Sequence, residues 1–317
     1  MRIYFIVILL IASTVMLPNY FCGNADELPG DDITLGRRLF FDTILSSNKK
    51  ISCASCHKPE FAFADSSAVS PGVFGRKGAR NTPSAMNLNS AAFFFWDGRA
   101  PTLELQALFP ITNPLEMNLP VDSAVQRLQR NEFYKEAFQR IFGERPSAQS
   151  LGKALAAFQR SMETNDSPFD EWKTNENESA VSESVKRGFE LFNGSAKCVK
   201  CHFGTDFSNT EFRNIGLFNG KQLHDSGRAA ITKNPADVGM FKIGPLRNIA
   251  LTAPYMHNGM FRTLREVIDY YDDPDKIVHD PVNRDTLLSA PLRLSEQDKQ
   301  DLENFLRSLT SASLVKK

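Results

Sequence analysis

Apolar residues recur along this chain at helical spacing, and no stretch alternates convincingly as a strand would. Over residues 32–48, Leu35, Leu39, Phe40 and Phe41 make a short amphipathic stretch. Residues 121–143 carry Val125, Leu128, Phe133, Phe138, Ile141 and Phe142 on a stripe, with Asp122 or Ser123 placed to cap it, which predicts a helix. A second helix is predicted after Ser147, with Leu151, Leu155, Phe158 and Met162 on one side. A last one starts at Ser295 and presents Leu302, Phe305, Leu306 and Leu309. Such stripes face a core. Residues 58–95 are rich in Gly, Pro, Ser and Asn, and 204–250 also read as loop. A loop as long as the first is unusual unless it has a function. The fold class is mostly α.

The amphipathic stretch at 32–48 leads into ISCASCH, residues 51–57. A second apolar group, Phe189, Leu191 and Phe192, leads into KCVKCH, residues 197–202. Each motif is Cys-x-x-Cys-His: Cys53, Cys56 and His57, then Cys198, Cys201 and His202. This is the spacing of covalent c-type haem attachment. Residues three and four apart share a face of a helical turn. Both thiols can therefore reach the vinyl groups of one haem, while the histidine ligates its iron. The rival readings fit less well. Zinc modules hold their cysteine pairs ~15–20 residues apart, and these pairs lie in opposite halves of the chain. Dithiols and disulfides need no histidine after each pair. Two covalently bound haems c are expected.

A length of 317 residues suits about two domains, one per haem motif. The polar stretch 163–184 (ETNDSPFDEWKTNENESAVSES) marks the boundary. The expected layout is an N-terminal cytochrome-c-like domain over 26–170 and a C-terminal one over 171–317, both with long haem-wrapping loops. Residues 3–17, IYFIVILLIASTVML, follow Arg2 and precede Pro18. The run is shorter than the ~20 residues of a membrane span and reads as a signal peptide over 1–25, cleaved after Ala25. The alternative is a lipoprotein anchored at Cys22. Either way the protein is exported, to the periplasm. Basic and acidic residues balance at 37 each, so nucleic acid is not an expected partner. The 25 phenylalanines suit either aromatics around a flat cofactor or plain core packing.

Histidine placement sharpens the reading. The chain has five histidines, and none lies between His57 and His202. The other three, His224, His257 and His279, follow the second motif. The first haem thus lacks a local histidine for its sixth position. Met86, Met117 and Met162 are the local methionines that could serve; otherwise the iron is open, as in peroxidases and globins. Peroxide cleavage needs a group to move a proton and others to polarise the O–O bond. Residues 95–117 offer Glu104, Gln106 and Glu116.

Many blocks of the chain, in order, resemble the bacterial di-haem cytochrome c peroxidases, a family that includes the methylamine-utilisation enzyme MauG. They are LGRRLFFD, ISCASCHKPEFAFAD, RNTPSAMN, FWDGRAPTLELQALFPITNPLEM, SPFDEW, KCVKCHFGTDFSN, LRNIALTAPYMHNGMFRTLREV and LSEQDKQDLENFLRSL. The resemblance implies that the first haem reduces hydrogen peroxide. The second takes electrons from a small cytochrome c or a cupredoxin. It implies Trp96 between the haems, Glu116 as acid–base group, Gln106 as its hydrogen-bonding partner, and Pro110 shaping the pocket. It further implies a Ca²⁺ held by the Asn81 side chain and the carbonyls of Thr252 and Pro254, an all-oxygen set that suits this ion. The family is often homodimeric.

Two departures from the family pattern stand out. Many members carry a histidine before RNTPS that blocks the peroxide haem; here residues 70–79 read SPGVFGRKGA, with Val73 or Phe74 near that place. The first haem is therefore expected to be open even when fully oxidised. Most members ligate the second haem with a Met; here TLREVIDYYD puts Tyr271 at that position, as in MauG-like members, with Tyr270, Met256 and Met260 as rivals. His257 is expected to pack near the haem rather than ligate it. MauG oxidises a partner protein through a surface Trp just before its second motif. Here Ser195, Ala196 and Lys197 stand there, and the only tryptophans are Trp96 and Trp172. The two departures lean towards MauG, but its route to quinone-cofactor synthesis is absent here, and a cytochrome c peroxidase is the expected activity. A MauG-like oxidase of a protein or organic substrate is the alternative within the family, and a two-haem electron carrier the alternative outside it.

Overall fold

The computed structural model describes residues 27–315. The expected cleavage after Ala25 and the alternative anchor at Cys22 lie outside the described residues. No described helix is long and apolar enough to cross a membrane. The chain runs through α1 (Asp32–Phe41), the short α2 (Leu103–Gln106) and α3 (Phe109–Thr112), then α4 (Val121–Arg130), α5 (Glu132–Phe142), α6 (Ala148–Ser161), α7 (Pro168–Lys173) and α8 (Glu183–Asn193). Then come β1 (Phe212–Arg213), α9 (Ala229–Thr232), β2 (Phe241–Lys242), α10 (Leu264–Asp272), α11 (Glu296–Ser308) and α12 (Ala312–Val315). The two strands pair antiparallel, Phe212 opposite Lys242, and form the one sheet among the described residues. No α-helix interrupts the stretch from Phe41 to Leu103.

Side-chain caps start the principal helices where the sequence places them. Ser147 accepts the Ser150 N–H at 3.1 Å at the head of α6, and Ser295 accepts the Asp298 N–H at 3.1 Å at the head of α11. The single helix expected over 121–143 is instead two. Asn131 has extended backbone (φ −93°, ψ 113°), ends α4, and accepts the Tyr134 N–H at 3.2 Å to begin α5. An asparagine side chain offers the backbone an alternative to the helical ladder, and here it takes it. Nor do Asp122 and Ser123 cap the first of these helices, which begins directly after Pro120.

Two helix crossings organise the molecule: α1 packs on α6, and α8 on α11. Both close at a glycine. A Cβ on Gly36 would lie 1.8 Å from the Ala154 carbonyl oxygen, and one on Gly188 would lie 2.0 Å from that of Asp301. Backbones touch there because no side chain intervenes. Beside each contact an aromatic pair fills the crossing, Phe40–Phe158 at 5.2 Å between centroids and Phe192–Phe305 at 5.0 Å. Burying each such ring contributes about 1.5–3 kcal/mol. Two hydrophobic clusters result. The first holds Leu35, Phe40, Phe63, Phe138, Leu155, Phe158 and Met162. The second holds Phe169, Trp172, Phe192, Phe207, Tyr270 and Phe305. Many of the phenylalanines thus pack on one another, and Phe40, Phe192 and Phe241 also face the cavity described next.

Candidate haem sites

Each Cys-x-x-Cys-His motif follows the helix that opens its half, and each folds as a tight turn. The His57 N–H donates to the Cys53 carbonyl at 2.9 Å, and the His202 N–H to that of Cys198 at 2.9 Å. The imidazoles are fixed alike: Nδ1 of His57 donates to the Phe63 carbonyl at 2.8 Å, and Nδ1 of His202 to that of Phe207 at 2.9 Å. This leaves Nε2 of each as a ligand atom, with the tautomer set by the second bond. Burial lowers the pKa of both histidines, which keeps the imidazoles neutral. No disulfide ties up any of the four motif cysteines. Burial pushes Cys53 and Cys198 up to about 12 and Cys56 to about 11, and raises Cys201 as well. Among the described residues no cluster of His, Cys, Asp and Glu is arranged for a metal ion such as zinc.

One cavity of about 990 Å³ is lined by both motifs. Its wall carries Phe40, Leu103, Ala107, Leu155, Phe192, Leu264, Ile268, Leu302 and Leu306, an apolar cradle suited to a flat macrocycle. The donor set fits covalent haem at both ends: two thiols and one imidazole nitrogen per motif.

Around the first motif the wall gathers Trp96, Arg99, Gln106, Pro110, Asn113 and Glu116. Gln106 ends α2, Pro110 lies in α3, and Glu116 follows in a turn. That turn is pinned by the Val73 N–H, which donates to the Glu116 carbonyl at 2.7 Å. Asn113 donates to Glu116 Oε1 at 2.6 Å. Burial raises the Glu116 pKa, against the Asn113 hydrogen bond and the Arg99 charge. Asn113 and Arg99 are not singled out by the sequence reading, although the Asn-Pro-Leu-Glu spacing places Asn113 one turn from Glu116. Glu104 is elsewhere, paired with Arg160 at 2.6 Å. Of the three methionines, Met86 and Met162 are buried in the first cluster off the cavity, and Met117 lines it. Neither Val73 nor Phe74 lines the cavity: Val73 is fully buried, and Phe74 is 67% exposed.

Near the second motif, Tyr271 of α10 lines the cavity. Its hydroxyl makes no hydrogen bond within the described residues. Tyr270 points away; its hydroxyl donates to the Ile215 carbonyl at 2.5 Å, and its ring is fully buried. Met256 lines the cavity but Met260 does not. His257 also lines it, stacked on Phe241 with centroids 3.8 Å apart and planes 13° from parallel.

Other residues on the cavity wall form a tied network. Trp96 Nε1 donates to the Asn81 carbonyl at 2.9 Å, and the Asn81 N–H donates to that of His257 at 2.6 Å. The Asn81 amide donates to the Ser67 and Ala68 carbonyls at 3.3 Å each, leaving its oxygen as an acceptor. Thr252 and Pro254 share the cavity wall with it. Arg80 grips Asp225 at 2.7 and 2.8 Å and Asp97 at 2.5 Å, so the Trp96 turn is held from both halves of the chain.

Two haem-attachment turns over one apolar cavity define a c-type cytochrome with two haem sites. Residues 30–178 match the family model described as di-haem cytochrome c peroxidase. The chain is 39% identical to the methylamine utilization protein MauG of Methylophilus methylotrophus, over 92% of this chain and 85% of that protein. It is 34% identical to the cytochrome-c peroxidase IdrP1 of Pseudomonas sp. (strain SCT), over 88% of this chain and 81% of that one. The crystal structure of a MauG-like protein associated with microbial copper homeostasis superposes with a TM-score of 0.82 at 32% identity, covering 96% of this chain and 97% of the other. The chain belongs to the di-haem cytochrome c peroxidase and MauG family, a family of haem oxidoreductases.

Proposed function

We propose that this protein is an exported peroxidase of the periplasm that reduces hydrogen peroxide to water with electrons from a small cytochrome c or a cupredoxin. In its reaction one peroxide, two electrons and two protons give two waters. The observation that carries this reading is Glu116, raised in pKa by burial and held by Asn113 at 2.6 Å on the cavity wall beside Gln106 and Pro110. When bound, the haems supply the metal that binds peroxide near His57 and the store that passes electrons from near His202. The chain's own groups do the rest. The Glu116 carboxylate takes a proton from the arriving peroxide and delivers it to the departing oxygen. Asn113 orients that carboxylate, and Gln106 offers a hydrogen bond to the peroxide. Trp96, tied to Asn81 and to the Lys242 N–H, lies on the route between the two sites. Two domains, 26–170 and 171–317, would each hold one haem, and Ca²⁺ at Asn81, Thr252 and Pro254 would stiffen the joint between them.

The same cavity supports a second reading, an oxidase of a protein or organic substrate like MauG. Tyr271 favours it, because a hard anionic ligand stabilises high oxidation states better than a thioether. The tryptophan complement opposes quinone-cofactor synthesis as its product. The test is steady-state oxidation of reduced small cytochrome c by peroxide with the di-haem protein and its Glu116→Gln variant. The proposal expects a loss of ~10²–10⁴-fold in the variant. An unchanged rate would remove Glu116 from the chemistry.

A further inference from the structure

The arginines on the cavity wall are already paired with carboxylates. Arg80 binds Asp225 at 2.7 Å, Arg99 binds Asp97 at 2.9 Å, Arg213 binds Asp285 at 2.8 Å and Arg247 binds Asp170 at 2.9 Å. Lys197, also on the wall, is exposed. Lys242 differs from all of these. It projects from β2, lines the cavity, and has no carboxylate or hydrogen bond on its ammonium among the described residues. Burial alone pushes its amine down to about 8. The side chain is half-buried, and an ammonium partly withdrawn from water without a counter-charge is costly. The Lys242 backbone N–H donates to the Trp96 carbonyl at 2.8 Å, which fixes the strand against the tryptophan between the sites.

The group that fills this cavity brings carboxylates of its own, since each haem carries two propionates. We propose that the Lys242 ammonium is the ion-pair partner of a haem propionate beside Trp96, and that its charge raises the reduction potential of that haem. The inference rests on the di-haem reading given above. A positive charge near the iron favours the reduced form, which carries one positive charge fewer, so Lys242 acts as a positioning and tuning residue.

The test is optical redox titration of the di-haem protein with Lys242→Met and Lys242→Arg, with haem content measured separately as pyridine haemochrome. Methionine keeps the length and volume but not the charge. The expected result is two haems per chain in each, a lower midpoint for one haem in Lys242→Met, and a midpoint restored towards the parent in Lys242→Arg. Parent midpoints in Lys242→Met would overturn the proposal, because volume alone would then suffice. If Lys242→Met loads fewer haems, Lys242→Arg decides. Full loading with parent midpoints supports the ion pair, and equal loss in both variants overturns it. Absence of haem from the parent protein would instead refute the di-haem reading.

Discussion

Asn113 donates a 2.6 Å hydrogen bond to the carboxylate of Glu116, one turn further along the chain. That bond opposes the burial that raises the Glu116 pKa. Glu116 must be ionised to accept a proton from peroxide, so kcat/KM should fall as pH drops through the raised pKa, with its acid limb above the ordinary carboxylate range. Removing the bond in Asn113→Ala should raise the pKa further and move the acid limb to higher pH. The pH profiles of kcat/KM for the two proteins check this. A limb that stays in place, or moves to lower pH, would contradict it.

Tyr271 reaches the cavity while Tyr270 is committed to the Ile215 carbonyl. Tyr271→Phe should therefore change the optical and EPR signature of the second haem, whereas Tyr270→Phe should leave it in place. Tyr271→Met should raise that haem's midpoint, since a thioether favours the ferrous state more than a phenolate does. An unchanged spectrum in Tyr271→Phe would shift attention to Met256, which shares the wall.

The two glycine crossings make a prediction about stability. A methyl group on Gly36 meets the Ala154 carbonyl oxygen at 1.8 Å, so α1 and α6 must separate. Overpacking of this kind costs about 1–3 kcal/mol. Gly36→Ala should lower the midpoint of chemical denaturation accordingly, and Gly143→Ala is not an equivalent control, since Gly143 sits at φ 72°. Gly30, away from the cavity and with nothing near its would-be Cβ, serves that purpose, and Gly30→Ala should be close to neutral.

Asn81 joins Trp96, His257 and the Ser67–Ala68 backbone. If its free amide oxygen holds Ca²⁺ with the Thr252 and Pro254 carbonyls, a Ca²⁺ chelator should slow electron passage between the haems, and added Ca²⁺ should restore it. Asn81→Ala should show the slow rate with or without Ca²⁺. Chelation without effect would remove the ion from the account.

Much of this was legible in the residues themselves. Cys-x-x-Cys-His carries its own geometry, and Ser147 and Ser295 announce their helices because a cap is a local hydrogen bond. The break at Asn131 was not legible, since the apolar stripe continues across it and only the asparagine's bond to the Tyr134 N–H decides the matter. The family resemblance already put Tyr271 at the ligand position, but the bond that engages its rival Tyr270 was not legible, because the Ile215 carbonyl lies more than fifty residues away in the chain. Lys242 was invisible for the same reason. Nothing local marks a lysine as cavity-lining when the wall is assembled from both halves. The missing histidine before RNTPS was visible as an absence, and the structure adds that Val73 and Phe74 both turn away from the cavity.

The most direct test of the account is peroxide-dependent oxidation of reduced small cytochrome c by the fully ferric, calcium-loaded protein, mixed without any prior reduction. Neither Val73 nor Phe74 lines the cavity to cover the first haem, so turnover should begin at once, without a lag. Turnover that appears only after one-electron reduction, together with a ferric spectrum of two six-coordinate low-spin haems, would contradict the open site. No turnover in either state would contradict the peroxidase itself.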